Sequence, residues 1–374
     1  MRKLGSSVAV AALLGAGLCV TLPVQALDAV VVPPCTESAF NNALSAVDDS
    51  GGGTITFNCG SANIGFSSYK QIAHNVVIDG GGTIGLDGQN SSPLFQIYAS
   101  AKVTFKRLTL TRGINGAAHA IENFGMLTLD QARVVSNVSD AAALMNHGTL
   151  IVRATSFVGN QNTDTAEDGG AIHHDGEFLR VDRSTFNNNS AIGSGGAIYS
   201  GAPMTISNST FNANSAFGGG AIFQQGTDQS RLSHLTVVGN SASYGAGIYN
   251  DNSAGSVLRI DRSLLAANAT GNCDGVLASD GYNLSSATHC GGAFTATGDL
   301  NNQTLAMDAL ANNGGPTQTM LPQSGNPARN HIPLGQCAIP VDQRGAGRPS
   351  APGCDSGAVE VGGVVDLIFY DGLE

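Results

Sequence analysis

The chain repeats one pattern of apolar and polar positions six times between Leu127 and Asn268. The clearest mark is an apolar residue followed three places later by Asn, as in Phe186 and Asn189, and an aliphatic residue lies five places before each mark. Buried and outward positions alternate in this stretch, which predicts a short strand with one buried face. The marks recur every 23 to 29 residues, at Val134, Phe157, Phe186, Phe211, Val237 and Leu265.

A second apolar column is formed by the last residue of a short phrase, which reads Gly-Gly-Ala-Ile in three of the coils. A repeat of this length, with short strands and no helix-length pattern, indicates a solenoid. Leucine-rich repeats have similar lengths, but their LxxLxLxxN signature is missing from the sequence. We therefore predict an all-β fold, a right-handed parallel β-helix whose coils stack at about 4.8 Å. The second column falls at Ile121, Leu144, Ile172, Ile198, Ile222 and Ile248.

The Asn of each repeat predicts a ladder of side-chain amides. Asn tolerates left-handed backbone angles at a sharp turn, and its amide can bond to the Asn one coil away. The paired glycines are expected to let the backbone bend tightly before the next buried Ile. The predicted ladder consists of Asn137, Asn160, Asn189, Asn214, Asn240 and Asn268.

The N-terminal residues predict export and a capped solenoid. Residues 1–26 begin with Arg2 and Lys3, continue with an apolar stretch and end in small residues, as in a signal peptide. Residues 27–50 predict an N-terminal cap, because Thr36 can cap an amphipathic helix that covers the open end of the solenoid.

The remainder of the chain divides where the period begins and ends. The β-helix is predicted over residues 51–300, and an irregular C-terminal cap over residues 301–362. Residues 363–374 form an aromatic and acidic tail with the character of a sorting signal. No long apolar run follows the signal peptide, so no membrane span is predicted in the mature chain.

Charge and cysteine content narrow the class of protein. Without the signal peptide, 15 basic and 28 acidic residues remain, a net charge of −13, which argues against nucleic-acid binding. An even number of cysteines in an exported chain, with no CxxC pair, favours disulfides over zinc. Proximity in the sequence favours the pairs Cys35–Cys59, Cys273–Cys290 and Cys337–Cys354.

Two family resemblances follow from these motifs. The GGAI phrases and the FxxN phrases at Phe157, Phe186 and Phe211 resemble the polymorphic outer-membrane protein repeat. The phrases GGGTITFNCG, NVVIDGGGTIGLDG, NNGGPTQTMLP, DQRGAGRP and CDSGAVE, in this order, resemble the choice-of-anchor Q family of exported bacterial β-helix proteins. The resemblance implies a bacterial protein that acts at the cell surface or outside the cell. It departs from the family at GNPARNHI, where a Ser-Pro-Ala turn with a nearby Asp is usual.

A polar cluster next to the second apolar column raises the possibility of catalysis. Stacking is expected to bring His147 near Asp175, with His174 beside them, and an acid/base cluster of this kind suits a polysaccharide lyase or glycoside hydrolase of the pectate-lyase-like β-helix type. No metal site or cofactor is predicted. Calcium is the one ion considered, at the acidic loop that contains Asp164, Glu167 and Asp168, but this loop lacks the spacing of a known calcium motif.

An outward column of arginines supports a different function. Arg180, Arg231 and Arg259 occupy one outward position of the predicted strands on an otherwise acidic chain. Such a long flat surface suits an extended acidic polysaccharide or a cell-surface glycan. The first hypothesis is therefore an exported protein that acts by adhesion or polysaccharide binding without catalysis, and the alternative is the enzyme. The sequence leaves the oligomeric state open.

Overall fold

The structure is a computed structural model that describes residues 26–113, 119–165, 167–226, 230–255, 257–288, 290, 292–350 and 352–365. The predicted signal peptide lies outside the described residues except for residue 26, and the predicted tail does so from residue 366 onward. The described chain is a parallel β-solenoid of about 9 turns with one α-helix, which confirms the predicted fold class.

Each coil contributes one strand to a nine-stranded parallel sheet. Its register follows the second apolar column, because Ile172 pairs with Leu144 on one side and with Ile198 on the other. The strands are Lys70–Ile72, Phe95–Ile97, Ile121–Asn123, Leu144–Asn146, Ile172–His174, Ile198–Ser200, Ile222–Gln225, Ile248–Asp251 and Cys273–Gly275.

A second sheet of 19 strands bends around the rest of the solenoid in two rows. The long strands Asn75–Asp87 and Lys102–Thr111 run through both rows. The first row contains Ala29–Val31, Gly52–Phe57, Met126–Asp130, Thr149–Arg153, Phe178–Asp182, Met204–Ser207, Ser230–Ser233, Leu258–Asp261 and Leu277–Gly281. The second row contains Ala62–Gly65, Arg133–Val135, Ser156–Val158, Thr185–Asn187, Thr210–Asn212, Thr236–Val238, Leu264–Ala266 and Leu284–Ser285.

Two smaller sheets and one short turn complete the regular structure. A three-stranded sheet consists of Val138–Ser139, Gln161–Asn162 and Ser190–Ala191. An antiparallel pair joins Ile332–Pro333 to Gly353–Cys354, and a 3₁₀ turn covers Asn252–Ala254. All other strand pairs of the named sheets are parallel, as stacked coils require.

The core is built from identical positions that stack from coil to coil. Phe157, Phe186 and Phe211 are fully buried, and their ring centroids are 4.8 Å apart with interplanar angles of 4° and 2°. Burial of one such side chain contributes about 1.5–3 kcal/mol. The stacked rings fill the space between the sheets and also fix the register of successive coils.

The predicted asparagine ladder is present and fully hydrogen-bonded. Asn160 Nδ2 donates to Asn189 Oδ1 at 2.8 Å, and Asn189 Nδ2 donates to Asn214 Oδ1 at 2.9 Å. The second hydrogen of Asn189 Nδ2 reaches the carbonyl of Phe157 at 3.0 Å, and Asn189 Oδ1 also accepts from the backbone N–H of Asn160. All six predicted asparagines belong to this buried row, which continues from Asn268 to Asn272 at 2.9 Å.

The ladder differs from the prediction in its backbone. The left-handed residue is the one before the ladder asparagine, for example Asn188 at φ 54° and Gly159 at φ 63°. This shift has a physical reason. The ladder side chain must point into the coil to reach its neighbours, so the preceding residue makes the bend.

The two glycines of the repeated phrase have different functions. Gly195 has a φ of +71°, where only glycine is free of strain. A Cβ on Gly196 would lie 2.2 Å from the carbonyl oxygen of Gly220 in the next coil. The first glycine therefore makes the bend, and the second permits the close approach of two coils.

A helix covers the N-terminal end of the solenoid, as predicted. It spans Glu37–Asp49, and Thr36 Oγ1 accepts a hydrogen bond from the backbone N–H of Ala39 at 3.3 Å. Phe40 is fully buried and packs against Phe66, with centroids 5.2 Å apart. The helix thus supplies the apolar contacts that the first coil would otherwise lack.

Residues 301–362, predicted as a C-terminal cap, do more than close the last coil. Leu300 continues the final turn through a bridge to Leu284, but the later chain runs back along the second row of the 19-stranded sheet. Gln343 accepts from Thr210 Oγ1 at 2.6 Å and donates to the carbonyl of Ser184 at 3.1 Å. Buried ion pairs hold this segment together: Arg344 with Asp342 at 2.8 Å, and Arg348 with Glu360 at 3.2 Å.

The three predicted disulfides are confirmed. The Cα–Cα separations are 6.0 Å for Cys35–Cys59, 5.3 Å for Cys273–Cys290 and 5.7 Å for Cys337–Cys354. The pairs tie the N-terminal cap, the last coils and the C-terminal segment. Among the described residues, no helix is long and apolar enough to cross a membrane.

We expect Asn189→Ala to lower the free energy of unfolding by about 1–3 kcal/mol, because the change leaves buried amides of the ladder unpaired. Urea unfolding measures the loss. Asn187→Ala is the matched control, since Asn187 is half-buried on the outward side of the same coil and its replacement should change stability by less than about 0.5 kcal/mol. Equal losses in the two variants would contradict a stabilising ladder.

Candidate functional site

The outer face of the nine-stranded sheet carries a run of aromatic rings. In each strand of this sheet the residue of the second apolar column, such as Ile172, points inward, and the next residue points outward. At this outward position His173, Tyr199, Phe223 and Tyr249 lie in register on four consecutive coils. The same position holds Gln71, Gln96, Glu122 and Met145 on the earlier coils and Asp274 on the last.

These rings touch one another along the solenoid. The centroid distance is 4.7 Å from His173 to Tyr199, 5.6 Å from Tyr199 to Phe223 and 5.0 Å from Phe223 to Tyr249. Two rings from the preceding turns extend the run, because Tyr244 lies 4.8 Å from Tyr249 and Phe217 lies 5.4 Å from Tyr244. We call these six residues the aromatic row.

The aromatic row combines apolar surface with fixed polar groups. Phe217 is 58% exposed, whereas Phe223, which stacks on both Tyr199 and Tyr249, is only 6% exposed. Tyr199 donates its hydroxyl hydrogen to Gln225 Oε1 at 2.6 Å, and Gln225 Nε2 donates to Asp251 Oδ2 at 2.9 Å. These bonds hold the phenol and the amide in set orientations beside the column of rings.

Carboxylates surround the row and act on its tyrosines. Burial, followed by the negative charges of Asp168, Asp251 and Asp175, raises the pKa of Tyr199 to about 12. Burial and the charge of Asp251 also raise the pKa of Tyr249. Both phenols are therefore neutral hydrogen-bond donors over the whole physiological pH range.

Two of the three predicted acid/base residues meet at the edge of this face. His147 Nδ1 lies 2.8 Å from Asp175 Oδ1, and both side chains are partly exposed. The ring of Phe124 stacks on His147 with centroids 4.9 Å apart and an interplanar angle of 15°. The two residues lie on adjacent coils of an outward column and are joined by a hydrogen bond at the surface.

The third predicted residue, His174, is not part of that surface cluster. It is fully buried, because strand alternation turns it inward between outward His173 and the following turn. Its Nδ1 accepts from Asn146 Nδ2 at 2.8 Å, and its Nε2 donates to the carbonyl of Pro203 at 3.1 Å. The expectation that His174 lies beside His147 and Asp175 as an acid or base is therefore wrong in geometry.

His174 belongs to a second buried ladder that sequence reasoning missed. Asn123 Nδ2 donates to Asn146 Oδ1 at 2.6 Å, and Asn146 in turn donates to His174. Burial lowers the pKa of His174, so the histidine stays neutral and can accept this bond. The signal was present in the sequence. The position two residues after the second apolar column is polar in six successive coils: Asn123, Asn146, His174, Ser200, Gln224 and Asn250.

The predicted arginine column is in register but its charge is largely balanced. Arg180, Arg231 and Arg259 share one outward position of the first row, with a threonine on the coil between Arg180 and Arg231. Arg231 Nη2 lies 2.7 Å from Asp261 Oδ2, and Arg259 forms an ion pair with Asp280. The face thus presents alternating charges rather than a continuous cationic stripe.

In the acidic loop considered for calcium, the carboxylate of Asp168 is bonded to the backbone of the next coil. Asp168 Oδ1 accepts from the backbone N–H of Ser194 at 2.5 Å, and the backbone N–H of Asp164 donates to Asn162 Oδ1 at 3.0 Å. Across the residues that the structure describes, no group of three or more His, Cys, Asp or Glu side chains could hold a metal ion.

Comparison of the chain with protein-family models, with curated proteins and with solved structures found no match. The resemblance to the choice-of-anchor Q family therefore remains a prediction from the sequence motifs. Function must be argued from the surface of the solenoid itself.

The buried His174 predicts a dependence of stability on pH. The folded state holds this imidazole neutral, so the unfolded chain binds the proton more readily and stability should fall as pH drops below about 6.5. His174→Asn should weaken this fall, while half-buried His119 and buried His234, whose pKa values are also lowered, retain part of it. Urea unfolding at about pH 7.5 and about pH 5 measures the difference. An unchanged dependence on pH in the variant would contradict the assignment.

Proposed function

We propose that the protein is exported, acts at the cell surface or outside the cell, and binds a polysaccharide without cleaving it. The observation that carries this proposal is the aromatic row, a run of six contacting rings on the outer face of the nine-stranded sheet. Adhesion through a surface glycan is the corresponding biological role.

The dimensions of the row suit a chain ligand. Four coils at about 4.8 Å place the outward rings of the row over about 14 Å along the solenoid axis. Sugar rings have apolar C–H faces that pack on aromatic rings, and their hydroxyls take part in hydrogen bonds. A flat repetitive surface offers the same contact several times, which favours a polymer over a compact small molecule.

Polar groups beside the rings supply the hydrogen bonds that such a ligand needs. The phenol of Tyr199 donates to the amide of Gln225 beside the column of rings, and that amide donates to Asp251. Preset side chains lose little rotational freedom when a ligand binds, which favours affinity. Rings and adjacent amides together provide both halves of a sugar-binding surface.

The arrangement around His147 favours binding over catalysis. Glycoside hydrolysis uses two carboxyl groups at a defined separation, and lyase chemistry requires an available base. His174 is committed to the buried ladder, which leaves the exposed His147–Asp175 pair alone of the three proposed residues. The enzyme alternative therefore loses one of the groups on which it depended.

Export is supported by the cysteines. All six cysteines that follow the predicted signal peptide are paired in disulfides. Disulfides of this kind persist in oxidising compartments outside the cytosol. The N-terminal sequence and the disulfides thus point independently to the same location.

Binding should depend on the rings of the aromatic row. We expect Tyr244→Ala combined with Tyr249→Ala to weaken binding by about tenfold or more, because the loss of each ring removes apolar contact with the ligand. Affinity electrophoresis in gels that contain plant, fungal and bacterial polysaccharides measures the retardation. Tyr69→Ala is the matched control, because Tyr69 is an exposed tyrosine outside the row. Binding that survives loss of both rings would refute the assignment of the site.

The exposed His147–Asp175 pair should not be needed for polysaccharide binding. We expect His147→Ala combined with Asp175→Ala to leave the affinity for the bound polysaccharide within about twofold, since a surface pair contributes about 0–1 kcal/mol. The wild-type protein should release neither reducing sugars nor unsaturated uronates. A release activity that disappears in this double variant would establish the enzyme alternative.

A further inference from the structure

Carboxylates are the main charged groups around the aromatic row, and one of them, Asp175, is bonded to His147 at 2.8 Å. Two carboxylates flank Tyr249. Asp251 follows it by two residues in the same strand, and Asp274 is in register with it on the next coil. Asp168 and Asp175 lie near Tyr199, where their charges contribute to its raised pKa. Asp251 thus lies beside the column of rings, Asp274 lies at its end, and Asp168 and Asp175 lie near Tyr199.

In the part of the chain that the structure describes, lysine and arginine are almost absent from this sheet. Within the described strands of the nine-stranded sheet, Lys70 in the first strand is the one Lys or Arg residue, and its Nζ lies 2.5 Å from Glu37 Oε1. The arginines of the column described above lie on the first row of the other sheet. The solenoid therefore separates a mixed-charge face from an anionic aromatic face.

We infer that the aromatic row binds a polysaccharide whose sugars carry free amino groups, and that it discriminates against uronic acid polymers. This inference rests on the proposed function and adds the charge of the ligand. An ammonium group gains from the negative face of an aromatic ring and from a nearby carboxylate at the same time. A uronate would meet only like charge at the same place.

The carboxylates are held where an ammonium group would need them. Asp251 Oδ1 accepts from the backbone N–H of Ser253 at 2.9 Å, and Asp274 Oδ1 accepts from the backbone N–H of Gly275 at 2.8 Å. Each of these atoms is fixed by a local backbone turn, so the charge beside Tyr249 is ordered in advance. Ordered charges contribute more to recognition than mobile ones.

A basic polypeptide is the competing ligand, and the sheet argues against it. Extended peptides commonly bind by adding a strand to an open sheet edge. The strands that carry the outward rings are paired on both sides, for example Ile198–Ser200 with Ile172–His174 and with Ile222–Gln225. The row offers the exposed ring of Phe217, the outer parts of the stacked rings and side-chain polar groups instead of backbone groups, and a sugar ligand can use all three.

The experiment compares three oligosaccharides of matched length: glucosamine, N-acetylglucosamine and galacturonate oligomers, with oligolysine as a fourth probe. Titration calorimetry of the full chain should give the tightest binding for glucosamine and no measurable binding for galacturonate. Asp251→Asn combined with Asp274→Asn should weaken glucosamine binding by about two- to fivefold per carboxylate. The affinity for N-acetylglucosamine should stay unchanged.

The control variant has the same change in net charge, but at two residues that lie outside the aromatic row. Asp49→Asn combined with Asp308→Asn replaces exposed carboxylates of the N-terminal helix and the C-terminal segment, and should leave the preference intact. Equal affinity for glucosamine and N-acetylglucosamine would overturn the inference but leave the proposed function standing. Binding of galacturonate through the row would overturn the inference as well. Oligolysine binding with no sugar binding would overturn both.

Discussion

The register of one coil on the next is the constraint on which the rest of this structure depends. A parallel solenoid places each residue directly above its counterpart, so a shift of one position would bury every outward side chain. Here the stacked rings of Phe157, Phe186 and Phe211 and the asparagine ladder fix the same register by two kinds of interaction. Apolar stacking supplies most of the energy, whereas the amides penalise slippage because a displaced buried amide loses its partners.

Fixed register turns single positions into long surfaces. The position after each residue of the second apolar column recurs on nine strands, and so it forms a continuous outward column. The same geometry brings Arg231 and Arg259 next to Asp261 and Asp280 and neutralises a column that looked cationic in sequence. Charge in a solenoid must therefore be read across coils and between adjacent columns.

The sequence predicted the main apolar columns, one asparagine row, the capping helix and the disulfides, and it missed the second buried ladder and the contacts made by variable turns. The apolar columns, the asparagine row and the capping helix follow from periodicity and local capping, and nearest-neighbour spacing predicted the disulfides. His174 was misplaced because proximity in sequence was given more weight than strand alternation. Phe217 and Tyr244 come from turns of variable length, which no column locates, and the return path of residues 301–362 depends on long-range contacts such as Gln343 with Thr210.

The aromatic row is not required by the fold, and this separates stability from function. Inward positions accept a narrow range of residues, because each must fill the space below its neighbour. The outward column is unconstrained in this way: Gln71, Gln96 and Glu122 occupy it on earlier coils and form equally regular strands. Within this column Gln71, Gln96, Glu122 and Met145 give way to rings that pack on one another, and Phe223 is only 6% exposed. Packing between rings therefore accounts for part of the change. Because the fold accepts polar residues at the same position, the exposed parts of the row are the best guide to the ligand.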